Sequence, residues 1–152
     1  MGMFSTINTA ATGLTAQRTR LDVIADNIAN VNTTRTEAGG PFRRKRVIFS
    51  SRAENPYWRG PFVPEFLDNG GGRGVRIVSI EEDLDSEPRM VYDPEHPDAI
   101  LTGRWAGYVA YPNVNIVNEM VDMIAASRSY EANVAVIDGS KSMFTRALQI
   151  GS

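Results

Sequence analysis

A chain of 152 residues with 42% hydrophobic side chains suffices for one core, or for a modest domain with extended arms, and is too apolar for wholesale disorder. Its formal net charge of −2 argues against general nucleic-acid binding, which needs a basic excess; the run Arg43, Arg44, Lys45, Arg46 is too short to reverse that. The absence of cysteine removes disulfides, thiolate metal sites and thiol catalysis together, and leaves the compartment open.

In chain order, the first zone is residues 1–34. Residues 1–17 carry no positive side chain and no continuous apolar stretch, so no cleavable signal peptide is expected. Nor does any run reach the roughly 18 apolar residues of a membrane span. Ile7, Leu14, Leu21 and Ile28 recur every seven residues, with Met3, Ala10, Gln17, Ile24 and Val31 beside them, the pattern of a helix-pairing seam. The helix is intrinsically poor, because Thr6, Thr9, Thr12, Gly13 and Thr15 all lower propensity. Charge begins only at Arg18, which is placed to pair with Asp22 one turn on.

Residues 35–112 form the second zone, where glycine and proline concentrate and the period falls toward two. "KRVIF" (45–49), "GVRIVSIEE" (74–82), "RMVY" (89–92) and "GYVAY" (107–111) are predicted strands; "GGPF", "NPYWRGPFVP", "NGGGRG" and "DPEHPD" are turns and loops. The third zone, residues 113–152, is a longer helix over 115–150 capped by Asn115. Its sevenfold seam is Ile116, Met123, Tyr130, Ile137 and Phe144, flanked by Met120, Val134 and Leu148, and Gly139 is its weakest interior point. The fold class expected is α+β: long N- and C-terminal helices packed in a coiled-coil-like arrangement, with a small β-rich middle domain.

Candidate chemistry is thin. His96, the single histidine, sits in a proline-held turn with Asp93, Glu95 and Asp98, whose carboxylates are expected to face water. "GGGRG" lacks the Lys-Ser/Thr pair of a phosphate loop and precedes a strand where such a loop follows one. Glu81, Glu82, Asp83 and Asp85 fit a solvated strand end better than an acid/base pair. Arg43–Arg46 fits a charged β-edge. Tyr57, Trp58, Phe62 and Phe66 fit a cover for the β core or for a neighbouring subunit. The poor, charge-free first half-helix should not persist alone, and points to multi-helix packing between chains. A helical hairpin that binds one partner and never polymerises is the alternative.

"TGLTAQRTRLDVIADNIANVNTT" (12–34) resembles the N-terminal signature of the bacterial flagellar rod, hook and hook-associated proteins. "NTTRTEAGGPFRRKRVIF", "VYDPEHPDA", "YPNVNIVNEMVDMIAASRSYEANV" and "KSMFTRALQIG" resemble its proximal-rod members, so the likeness covers both helices and much of the middle. Asp26 stands where that family commonly has Asn, and "ILTGRWAG" (100–107) is longer than the usual connection. The resemblance implies a structural subunit that polymerises helically into the torque-transmitting shaft and export-channel wall. It further implies export through the flagellar type III apparatus, with location in the basal-body rod. Implied partners are other copies of the chain and other rod proteins, the proximal-rod and rod-base adaptor subunits among them, with no nucleic acid, no membrane insertion, no cofactor and no enzymatic activity.

On the N-terminal side the expected subunit-interface residues are Leu14, Leu21, Asp22, Asn27, Ile28, Asn30, Val31, Asn32 and Arg35. On the C-terminal side they are Asn115, Glu119, Met120, Met123, Arg128, Tyr130, Glu131, Asn133 and Phe144. The Asn/Thr run with Arg35 and Glu37 is expected to lie extended along adjacent subunits, bridging them through amides and hydroxyls. No catalytic, cofactor or metal residue is expected.

Overall fold

The computed structural model describes residues 3–52 and 74–150. Tyr57, Trp58, Phe62, Phe66 and residues 70–73 of the glycine run lie outside the described residues. The elements are α1 (Met3–Ala29), β1 (Lys45–Ser51), β2 (Val75–Glu82), β3 (Arg89–Tyr92), β4 (Tyr108–Tyr111) and α2 (Ile116–Ile150). Two long helices pack together, and a small middle region carries two small antiparallel sheets, an α+β fold. The sheets are β1–β2 and β3–β4; in the second, Arg89 faces Tyr111 and Tyr92 faces Tyr108.

Local chemistry sets the helix ends. Asn115 caps α2: its Oδ1 accepts the Val117 and Asn118 N–H groups at 3.0 and 3.3 Å. At the end of α1, the Asn30 side-chain amide donates to the Asp26 carbonyl and carboxylate, both at 2.9 Å. The Asn/Thr run that follows turns over residues 30–32 and makes hydrogen bonds within the chain. Thr33 N–H bonds the Asn30 carbonyl and Phe42 N–H bonds the Thr33 carbonyl, while Thr36 and Gly40 close a tight turn. Thr34 Oγ1 donates to Asp98 at 2.8 Å. Of the side chains, Asn30 and Thr36 bond local backbone carbonyls, Thr33 bonds the Asn30 side chain, and Thr34 reaches the distant Asp98.

Packing divides the chain into two compact units, one within Met1–Thr19, Ile48–Ser79 and Ala126–Ser152, the other Arg20–Val47 with Ile80–Ala125. In the first, the two helices meet through small residues. Ala10 and Ala16 are buried on α1, Ala126 and Ser140 on α2. A Cβ at Gly13 would stand 3.0 Å from the Asn133 amide nitrogen, so glycine sets how near the backbones come. Thr12, a poor helix former by propensity, anchors the sheet: its Oγ1 accepts the Val75 N–H at 3.1 Å and donates to the Thr9 carbonyl. Gly74 precedes that contact with φ +107°, where a Cβ would collide with Thr12. The second unit buries Val23, Ile24, Phe42 and Val109, and its β3–β4 sheet carries the edge-to-face chain Trp105–Tyr108–Tyr92.

The packed seam differs from the heptad expectation. On α1, Ala10 and Ile24 are buried as expected, but Ile7, Leu14, Leu21 and Ile28 only flank the contact. On α2 the inner sevenfold set is Glu119, Ala126, Asn133 and Ser140; Met123 and Ile137 flank it, while Ile116, Tyr130 and Phe144 are exposed. Small residues permit a close approach, and that approach pushes the long apolar side chains outward. The Arg18–Asp22 pair does not form; Arg20 bonds Asp122 at 3.1 Å instead.

Candidate functional site

Two features of the second unit stand out: a polar network at its centre and an apolar face on its exterior. Asn27 projects from the last turns of α1 against the start of β1. Its Oδ1 accepts the Lys45 N–H and its Nδ2 donates to the Lys45 carbonyl, both at 2.8 Å, so the carboxamide pairs with backbone as a neighbouring strand would. The second Nδ2 hydrogen goes to Glu119 Oε2 at 3.1 Å, and Glu119 Oε1 accepts from Arg44 Nε at 2.6 Å. Asn27 and Glu119 are each only 1% exposed. Arg44 also lies 3.7 Å from Asp122, while Lys45 pairs with Asp26 at 3.1 Å and Arg46 with Glu81 at 3.8 Å. The basic run is therefore largely neutralised within its own unit. A buried carboxylate in this setting ties α1, β1 and α2 together, because leaving it unpaired is expensive.

The exterior face is the opposite side of α2. Val117, Val121 and Ile124 are 67, 61 and 54% exposed, with Met120 beside them, roughly half a turn around the helix from Glu119 and Ala126. A helix with small and polar residues inside and branched apolar residues outside inverts the usual amphipathic pattern. Contiguous exposed apolar surface of this kind marks an interaction site.

The expected interface residues separate by depth. Asn27 and Glu119 are inside the chain and bonded to each other. Leu14, Leu21, Ile28, Asn30, Val31, Met123 and Asn133 are half-buried. Asp22, Asn32, Arg35, Asn115, Met120, Arg128, Tyr130, Glu131 and Phe144 are exposed. Asn115 is engaged as the α2 cap, and Arg35 stands 3.9 Å from Asp98. Sequence reasoning missed Arg20, Arg44, Lys45 and Asp122. The available signal was a run of cations in one zone and acids early in the last helix, which complementary charge could have joined. His96 accepts the Asp98 N–H through Nδ1, and among the described residues no group of three or more His, Asp or Glu converges on a metal position.

Comparison with known proteins bears on this arrangement. A family model for flagella basal body rod protein matches residues 7–35, and one for the C-terminal region of flagellar basal body rod FlgEFG protein matches residues 106–150. The flagellar basal-body rod protein FlgC of Borreliella burgdorferi is 63% identical over 150 residues, covering 99% of this chain and 98% of that protein. The chain belongs to the FlgC family of flagellar basal-body rod proteins. FlgC of Bacillus subtilis is 42% identical over 156 residues and that of Salmonella typhimurium 35% over 151, each alignment covering 99% of both chains. This FlgC-family chain is a structural subunit of the flagellar rod, located in the basal body, and it assembles with other rod proteins. A single-partner hairpin adaptor is not favoured. The two family models take in α1 from Ile7 onward with the turns that follow it, and β4 with α2.

Proposed function

We propose that this chain is a subunit of the proximal rod that polymerises helically with further copies of itself and with the adjoining rod subunits, the rod-base adaptor included. Its work is mechanical and involves no catalytic step: packed helices in an open head-to-tail array share load, transmit torque and wall the export channel. It reaches that position through the flagellar type III apparatus.

The observation that carries this reading is the inverted α2, whose apolar residues face away from its own partner helix. Such a surface suits a protein finished by its neighbours. The names of the FlgC relatives support the rod assignment, and the absence of charge from Met3 through Gln17 suits close contact with further helices. Sedimentation velocity of the full-length chain tests it: the average mass should rise continuously with protein concentration, without stopping at a dimer. One monomeric species at every concentration would overturn it.

A further inference from the structure

The two ends of α2 carry unlike and complementary surfaces. Ser140 is its last buried position, and every described side chain from Lys141 to Gln149 is exposed. Met143, Phe144, Ala147 and Leu148 stand three, four, seven and eight residues beyond Ser140, so the inner stripe continues as an uncovered apolar face. The charged side chains of this arm are Lys141 and Arg146, with no acid among residues 139–150.

Near the start of α2 lies an open groove of about 490 Å³, whose lining sets Asp83, Glu119 and Asp122 against one guanidinium, that of Arg44. Glu119 is saturated by Asn27 and Arg44, and Asp122 is held by Arg20 and Arg44. Asp83 bonds Ser86 and, among the described residues, makes no ion pair; Glu82 and Asp85 are exposed on either side of it. Val121 lines the groove and continues into the apolar Val117–Ile124 face.

We propose that the α2 arm of one copy docks on the first turns of α2 in a second copy, Phe144 and Leu148 covering Val117 and Val121 while Lys141, one turn before Phe144 on the same face, reaches Asp83. The proposal deepens the self-assembly reading and rests on it. A cationic, apolar arm meets an anionic, apolar groove. The negative C-terminal end of one helix dipole also approaches the positive N-terminal end of the next. Because the two surfaces differ, a copy that has received an arm still extends its own, and growth does not close on itself.

Full-length variants read by sedimentation velocity test the pairing. Phe144→Asp with Leu148→Asp spoils the arm, and Val121→Asp spoils the groove. All three positions are exposed, so circular dichroism of each variant at low concentration should match the parent. Each variant alone should associate about tenfold or more weakly. An equimolar mixture should form heterodimers and stop there, since only one intact arm meets one intact groove. Lys141→Glu should also weaken association, as should about 1 M salt, where the Debye length falls to about 3 Å. If the parent associates and both variants do so equally well, this pairing is wrong while self-assembly stands. If the mixture stays monomeric, the arm and groove are not partners. A lower melting temperature of the dilute arm variant with unchanged association would mean that the chain's own residues cover the arm, and would also overturn the pairing. A parent that never associates removes self-assembly and this pairing together.

Discussion

At Glu119 a single carboxylate satisfies a buried amide and a guanidinium, and the energetics are lopsided. Keeping the network intact yields little net stability, since desolvation offsets most of the attraction, yet removing one member strands the others. Glu119→Ala should therefore cost about 3 kcal/mol in denaturant unfolding of the dilute chain, somewhat below a fully buried pair because Arg44 can recover water. Asn27→Asp should also destabilise, by turning a donor pair into a carboxylate facing the Lys45 carbonyl and Glu119. Asp83 gives a separate expectation. The Ser86 hydroxyl, then the Ser86 backbone N–H, hold its carboxyl below the usual carboxylate range. A depressed folded pKa means that its contribution is full above the unfolded value and is lost as pH falls through the folded one. Amides of Asp85 and Ser86 should thus lose protection, relative to their intrinsic exchange rates, only as pH falls through the lowered Asp83 pKa, and Ser86→Ala should move the Asp83 titration, followed by NMR, back toward the ordinary value. The partners of Asn27 were not legible in sequence, since they lie 18 and 92 positions away.

Among the elements, the strands and the start of α2 were readable because they are local, whereas α1 stops at Ala29, short of the Val31 that the seam had included. β3 spans the "RMVY" run, α2 begins directly after its Asn115 cap, and the alternation in "GVRIVSIEE" marks β2. Which face of each helix packs was not readable. A heptad count finds large apolar residues, whereas this contact is centred on Gly13, Ala126, Asn133 and Ser140, whose smallness sets the approach. Glycine substitutions separate the two situations. Gly139 lies in α2 with nothing within 4 Å of a built Cβ, so Gly139→Ala should stabilise the dilute chain by about 1 kcal/mol through propensity alone. Gly13→Ala gains the same propensity but presses on the Asn133 amide, which already donates to the Ser129 carbonyl at 2.9 Å. Alone it should be near neutral; combined with Asn133→Ala it should show a favourable coupling of roughly 1 kcal/mol in a thermal double-mutant cycle.

For the whole molecule, family and role were legible because long motifs at both ends resemble those of rod proteins. Within the chain, the Asn30–Thr36 run makes hydrogen bonds of its own, to Asp26, Gly40, Phe42 and Asp98. The apolar outer side of α2 and its arm are exposed.

That inverted helix has a calorimetric consequence. Unfolding a solitary copy releases little new hydrocarbon to water, because much of it is wetted already. Its heat-capacity increment should fall below the usual ~12–15 cal/mol/K per residue. The missing increment should reappear, with negative sign, when copies coalesce. In thermal terms, the proposed assembly should express more of this protein's oil-like character than the solitary molecule does.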